Sequence, residues 1–395
     1  MTNIIIRYNI NNVVLFFRYN MLLNRQLKKQ IVDKLFKKKV IILYGARQVG
    51  KTTLVKEILK DFGTEGRYLN CEMLSAQEGL KDAEGEKIKS FLGNYKIVVL
   101  DEAQNIPDIG KILKIIVDTF PELQIIATGS SSFDLANKSA EPLTGRNFTF
   151  TLYPFSLGEI QQLGDWFYIN SKLENIMRFG LYPEVFSLPD REAAERLEEL
   201  SADYLYKDIL KFEGIKKSTV IKQLLQALAL QMGQEVSYQE LAVMLGINRL
   251  TVQKYIDILE QAFIIFKLPA LSRNKRKEIS KSVKVYFYDL GIRNSLIQNY
   301  NPLNIRNDIG ALWENFCLVE RLKLNNLNGV FVNRYFWRTY DQKEIDYIEE
   351  GGGVYAGFEF KWSSGKAKIP KDFLNDYPNS TFNIVSKENF HKFLS

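Results

Sequence analysis

The sequence predicts an α/β protein that starts on a parallel sheet and continues through smaller helical and mixed modules. Three observations carry that expectation. Lys39 to Tyr44 is a short apolar, β-branched run that passes through a glycine-bounded loop into the helical pattern Thr53 to Lys60, with Leu54, Ile58 and Leu59 on one side. Lys96 to Leu100 is a continuous apolar run, the pattern of a strand buried on both faces, and it ends on Asp101 and Glu102. Leu123 to Ala127 is a third such run, ending on the polar tip Thr128, Gly129, Ser130, Ser131, Ser132. Arg67 to Asn70 supplies a further strand.

The loop between the first strand and its helix reads Gly45, Ala46, Arg47, Gln48, Val49, Gly50, Lys51, Thr52, followed by Thr53. This is the G-x-x-x-x-G-K-T phosphate loop. Its glycines let backbone N–H groups turn toward phosphate oxygens, Lys51 reaches the β- and γ-phosphates, and the Thr52 hydroxyl is offered to Mg²⁺. In strand, loop, helix context the motif predicts a nucleoside triphosphate site, with Mg-ATP the expected ligand.

The other residues of that site follow from order along the chain. Asp101, at a strand end, is placed to hold the magnesium, and Glu102 to orient and activate the attacking water. With Arg67 to Asn70 as an extra strand, the tip of the 123–127 strand lies beside Asp101. Thr128 or Ser130 then senses the γ-phosphate or positions the water; the alternative for the serine cluster is a cap on the next helix. Arg146, in Leu143-Thr144-Gly145-Arg146, is the expected arginine that neutralises γ-phosphate charge, in its own subunit or in a neighbour within a homo-oligomer.

Gly45 to Leu54, Leu100-Asp101-Glu102-Ala103-Gln104, Thr128 to Ser131 and Leu143 to Arg146, followed by Leu152-Tyr153-Pro154-Phe155-Ser156, resemble a widespread prokaryotic family of AAA-type P-loop ATPases. In that family a C-terminal region of undefined role follows the ATPase. The resemblance covers nearly all the chain from Met21 and implies the fold and ATP as nucleotide. One departure is Phe179-Gly180-Leu181-Tyr182-Pro183, where the family usually has two glycines before Tyr-Pro.

Composition narrows the remaining chemistry. The 395 residues contain two cysteines, Cys71 and Cys317, and one histidine, His391. A Ser-His-Asp triad, a Cys-His pair and a zinc site of cysteines and histidines are therefore not expected. No disulfide framework is indicated. Residues 1–20 are too short and polar to span a bilayer, and read as a non-native or disordered extension before a start at Met21, where amphipathic order (Leu27, Ile31, Leu35) begins. No membrane association and a cytoplasmic location are expected.

The net charge of +7 is concentrated in two stretches, residues 25–39 and 272–284, so the rest of the chain is acidic on balance. The first reads as a solvated helix face. The second belongs to a different module.

Residues 21–155 are thus assigned to the ATPase core and 156–215, rich in helical patterning, to a helical lid. Residues 216–289 read as a winged helix: Ser237 caps one helix with Glu240 closing a capping box, Gly246-Ile247-Asn248 turns, and Asn248 caps a second helix. Phe263 to Leu268 and Val283 to Tyr288 are its wing strands. DNA binding would set Arg249, Thr251, Gln253 and Lys254 in the groove and Arg273, Lys275, Arg276 and Lys277 on phosphates. The alternative is a protein-docking module with a solvated loop.

Residues 290–395 read as a helix carrying Glu314 and Glu320, followed by strands around Val330 to Arg338, Glu344 to Ile348 and Val354 to Trp362. Strand alternation sets Glu359 and Lys361 on one face of Phe-Glu-Phe-Lys-Trp. If the strands pair, Asp346, Glu359 and Lys361 converge; the carboxylates then hold Mg²⁺ and the lysine stabilises a pentacovalent phosphate or activates water. The arrangement resembles the PD-(D/E)xK nuclease core, a restriction-endonuclease-like α/β domain, in which Glu314 matches the acid of the first helix. An inert nuclease-like domain, or surface charges on a half-exposed sheet, are the alternatives.

Overall fold

The computed structural model describes residues 2–10, 13–21, 23–81, 84–130, 143–207, 218–271, 283–339, 343–363 and 370–395. Ser131, Ser132 and the basic residues Arg273, Lys275, Arg276 and Lys277 lie outside them. The chain divides into two units, one of Leu23–Pro154 with Gln261–Phe263, the other of Met1–Leu22, Phe155–Glu260 and Ile264–Ser395.

The first unit is built on a five-stranded sheet. Its strands are β3 (Val40–Tyr44), β4 (Gly66–Asn70), β5 (Ile97–Asp101), β6 (Gln124–Gly129) and β7 (Asn147–Thr151), in the order β4-β5-β6-β3-β7 and all parallel. Every residue of β3, β5 and β6 is buried, as continuous apolar runs between two helical layers require. The core is contiguous from Val40 and Ile42 through Val98 and Leu100 to Ile112 and Ile116 of helix Ile109–Thr119. Because β6 lies between β5 and β3, the polar end of β6 lies beside both Asp101 and the phosphate loop, as the sequence order implies.

The second unit holds three further groups of strands. β1 (Thr2–Ile10) and β2 (Val13–Met21) pair as an antiparallel hairpin. β8 (Glu235–Val236), β9 (Ile265–Pro269) and β10 (Val283–Phe287) form a sheet in the order β8-β10-β9, with both pairings antiparallel. β11 (Asn333–Arg338), β12 (Glu344–Gly351), β13 (Val354–Lys361) and β14 (Ser380–Ser386) form a mixed sheet in sequence order, parallel only at β13–β14.

Between β8 and β9 stand helices Tyr238–Leu245 and Arg249–Gln261. Ser237 accepts a hydrogen bond from Glu240 N, Gly246 adopts the left-handed conformation, and Asn248 Oδ1 accepts from Thr251 N at 2.7 Å. This is the helix, turn, helix read from the sequence. Helices Trp166–Phe179 and Asp190–Lys207 pack on the buried helix Leu290–Leu296 and fall in the second unit.

The long helix Ile309–Leu327 packs on β13 and organises this unit. Asn315 receives Phe287 N and donates to Phe287 O, completing the backbone bonding of β10, while Trp313 Nε1 donates to Val385 O. β9 and β11 are stitched by Leu271 N donating to Phe336 O at 2.7 Å. Among the described residues no helix is long and apolar enough to cross a membrane.

Candidate functional sites

The phosphate loop leaves β3 through Gly45, whose φ is +152°, and a Cβ there would lie 2.2 Å from the carbonyl oxygen of Leu152. Only glycine permits that approach. Gly50 (φ +98°) then sets the amino end of helix Lys51–Lys60, a first turn with no acidic residue to repel an anion. Ala46 and Val49 are buried, Thr53 is exposed, and Gln48 sits at φ +58°. Lys51 is 4% exposed and donates to Gly45 O (2.8 Å) and Ala46 O (3.0 Å), so its ammonium lies inside the loop that would cradle phosphate.

Asp101, 2% exposed, gathers three hydroxyl donors. Thr52 Oγ1 (2.7 Å) and Tyr68 OH (2.6 Å) donate to Oδ2, and Thr128 Oγ1 (2.5 Å) donates to Oδ1. Thr128 in turn accepts from Glu102 N at 3.0 Å. The P-loop helix, the acidic strand end and the tip of β6 are thereby joined through one carboxylate. The fit to magnesium is good: a hydroxyl and a carboxylate are hard oxygen ligands, few enough to leave places for phosphate oxygens and water. Burial, reinforced by Asp101 and Glu102, pushes the Cys71 thiol up to about 12, a sign of the negative field here.

Glu102 stands in the left-handed region at φ +55°, a conformation that costs a non-glycine residue energy and turns the side chain away from the strand line. Gln104 Nε2 donates to Glu102 Oε2 at 2.6 Å and to Ser130 Oγ at 3.4 Å. Gln104, Tyr68 and Arg25 are the residues sequence reading missed. Arg25 donates to Val49 O (2.6 Å) and Tyr153 O (2.5 Å), bracing the phosphate loop; its place in a lysine-rich stretch made it look like part of a solvated face.

Arg146 requires a correction. β7 runs parallel to β3 with Asn147 opposite Val40 and Thr151 opposite Tyr44. Arg146 therefore stands at the amino-terminal edge of the sheet, while the phosphate loop leaves the carboxyl-terminal edge, roughly 16 Å away at ~3.3 Å per residue. Its side chain is bonded to Asp118 at 2.7 Å. It cannot neutralise the γ-phosphate of its own chain.

In the second unit Glu314, Asp346, Glu359 and Lys361, grouped from the sequence, lie within electrostatic reach of one another. Asp346 Oδ2 accepts from Phe360 N at 2.8 Å, and Lys361 Nζ lies 2.6 Å from Glu359 Oε1. Glu314 accepts from Tyr286 OH at 2.5 Å. Burial, with the charges of Glu314 and Glu359, pushes the Asp346 carboxyl well above the usual range, so it is held toward its neutral form. Two further residues, Lys284 and Tyr286, enter the cluster unforeseen. Lys284 of β10, 3% exposed, lies 2.5 Å from Glu344 Oε1 and 3.3 Å from Glu314 Oε1. Burial alone would lower this ammonium, but Glu314, Glu344 and Asp346 outweigh it and raise it. Among the described residues no group of three or more His, Cys, Asp or Glu side chains is disposed to hold a metal ion.

Residues 37–161 match the family model of an AAA domain, residues 170–303 a domain of unknown function (DUF8612) and residues 309–390 a second one (DUF4143). An uncharacterized protein of Mycobacterium tuberculosis is 28% identical over 338 residues, 82% of this chain and 70% of that protein. One of Methanocaldococcus jannaschii is 27% identical over 396 residues, 93% of this chain and 86% of that protein. Among solved structures, AMPPCP-bound DnaA from Aquifex aeolicus overlaps with a TM-score of 0.26 at 16% identity, over 60% of this chain and 86% of that one. Pif1 helicase from Candida albicans gives a TM-score of 0.26 at 16% identity, over 55% of this chain and 56% of that one. Residues 37–161, which hold the phosphate loop, and residues 309–390 are thus similar to an AAA domain and a DUF4143 domain respectively.

Proposed function

We propose that this protein hydrolyses Mg-ATP at the phosphate loop and uses the nucleotide cycle to control DNA held by the helix-turn-helix of residues 238–261. The observation that carries the hydrolytic part is the Thr52–Asp101–Thr128 bonding, with Glu102 beside it. Lys51 and the backbone of residues 45–51 bind the phosphates, Thr52 and Asp101 hold magnesium, and Glu102, steadied by Gln104, orients the attacking water. When bound, magnesium neutralises phosphate charge. Thr128 or Ser130 is positioned to read the γ-phosphate. Any such role for Arg146 is confined to a neighbouring subunit of a homo-oligomer.

The DNA part rests on the winged-helix order of elements and on Arg249, Gln253 and Lys254, all exposed on the second helix. Exposed Val243, Met244 and Leu250 on the same motif favour a second reading, a switch that docks a protein. ATPase rate with and without duplex DNA, and DNA retention against salt, separate them. The DNA reading expects stimulated turnover and retention that falls steeply with salt, each phosphate contact adding about 0.9 to the log-log slope. DNA-independent turnover with no retention at low salt leaves the protein-docking reading.

Cleavage stands apart. The nuclease-like reading draws on Glu314, Asp346, Glu359 and Lys361, but the glutamates around Asp346 are already bonded to lysines. As folded, the cluster does not fit a divalent cation, and cleavage is not part of the proposed function.

A further inference from the structure

The carboxylate cluster of the C-terminal domain contains a cation that its sequence motif does not include. Lys284 comes from β10, outside that domain's own sheet, and is among the most deeply buried lysines of the described residues. Its Nζ is shared between Glu344 and Glu314, while Lys361 takes Glu359. Tyr286, two residues along the same face of β10, donates to Glu314 as well. Three glutamates are therefore satisfied by two ammonium groups and a phenol, and Asp346 by a backbone N–H.

Lys284 is not a side chain that swings in from solvent. β10 is paired on both sides, to β8 and β9. β9 is bonded onto β11 through Leu271 and Phe336, and Arg338 of β11 is paired with Glu235 of β8 at 3.0 Å. The same sheet contacts that build the unit hold the ammonium among the carboxylates. An ammonium and a divalent cation compete for the same oxygens, because magnesium or manganese needs carboxylates that no other cation occupies.

We propose that Lys284 is the resident cation of this cluster, standing where a divalent metal would otherwise neutralise the carboxylates, so that the C-terminal domain is complete without metal. The proposal rests on the nuclease-like reading only in taking Asp346 and Glu359 as the oxygens a metal would use. Replacing Lys284 by an uncharged side chain of similar length then creates a divalent-cation site in a cluster that lacks one.

The test measures Mn²⁺ binding to the full chain without nucleotide, by loss of the free Mn²⁺ paramagnetic signal and by thermal midpoint, with Asp346→Asn defining the cluster's share. Wild type is expected to show no Asp346-dependent Mn²⁺ binding, and Lys284→Met to gain one ion and a midpoint rise of about 4 °C or more in excess Mn²⁺. Lys284→Arg, which keeps the cation, is expected to gain neither. Asp346-dependent Mn²⁺ binding by wild type, or a folded Lys284→Met with no gain, overturns the proposal. Should Lys284→Met not fold, the comparison of wild type with Asp346→Asn decides alone. Mn²⁺ gained by Lys284→Met, lost with Glu314→Gln but indifferent to Asp346→Asn, supports the role of Lys284 and retires the pairing of Asp346 with Glu359.

Discussion

Thr128 Oγ1 donates a hydrogen bond to Asp101 Oδ1 at 2.5 Å and accepts one from the backbone N–H of Glu102 at 3.0 Å. One side chain at the tip of β6 thus fixes both acidic residues of the strand beside it. Thr128→Val keeps the shape but removes both bonds, leaving a buried carboxylate short of one donor. A loss of about 1–3 kcal/mol of stability is expected, together with a fall in kcat larger than any change in KM for ATP. Denaturation and steady-state kinetics on the same preparation check this; unchanged stability and kcat would remove Thr128 from the site.

Arg25 braces the loop from outside the motif, through the carbonyls of Val49 and Tyr153. Arg25→Met preserves the aliphatic stem and loses the guanidinium. Nucleotide affinity is expected to fall by about tenfold or more, equivalent to ~1.4 kcal/mol, because the loop loses its fixed geometry. Fluorescent-nucleotide titration reads this directly, and affinity within twofold of wild type would show that the loop holds its shape unaided.

On the proposed mechanism Gln104 acts on the reaction chiefly through Glu102, to which it donates at 2.6 Å. Gln104→Leu frees the Glu102 carboxylate, and kcat is expected to drop by about tenfold with KM for ATP little changed. The conservative Gln104→Asn, with a shorter reach, is expected to recover part of the rate. Equal loss in both variants, or a change confined to KM, would count against a positioning role.

Asp289 gives the second unit a pH signature. Burial raises its carboxyl to about 6, against the pull of the Leu181 and Ile292 N–H groups and of Lys323. Between its ordinary value of 3.8 and about 6 the folded chain holds a proton that the unfolded chain has released, so this group's contribution to stability is present below the unfolded pKa and is lost as pH rises through the folded one. The expected loss is roughly 2–3 kcal/mol. Urea denaturation at pH 4.5 and 6.5 should show Asp289→Asn losing less stability over this interval than wild type; equal slopes would contradict the raised value.

What the sequence made legible follows from how far each signal reaches. Continuous apolar runs marked β3, β5 and β6, and the fixed spacing of the loop marked Lys51 and Thr52, because these features are local. Asp101 and Thr128 were readable as neighbours since parallel topology brings consecutive strand ends to one edge. The same rule, applied to Arg146, would have put it on the opposite edge: it precedes its strand rather than following it, and closeness to the motif along the chain hid this. Arg25 and Lys284 were hidden for another reason. Each lies in a basic stretch that resembles solvated surface, and each is buried by partners that are distant in sequence, Tyr153 in one case and Glu314 and Glu344 in the other. The helices between residues 166 and 207 carried an amphipathic pattern but nothing to say which core their apolar faces cover.

On the proposed function, Asp101 and Glu102 complete a hydrolytic site on the phosphate loop. The most direct measurement is single-turnover conversion of radiolabelled ATP by wild type and Glu102→Gln, with bound nucleotide recovered and identified. Wild type is expected to yield ADP, whereas Glu102→Gln retains intact ATP with similar affinity and a rate lower by about 10²-fold or more. Hydrolysis by Glu102→Gln at the wild-type rate would contradict it.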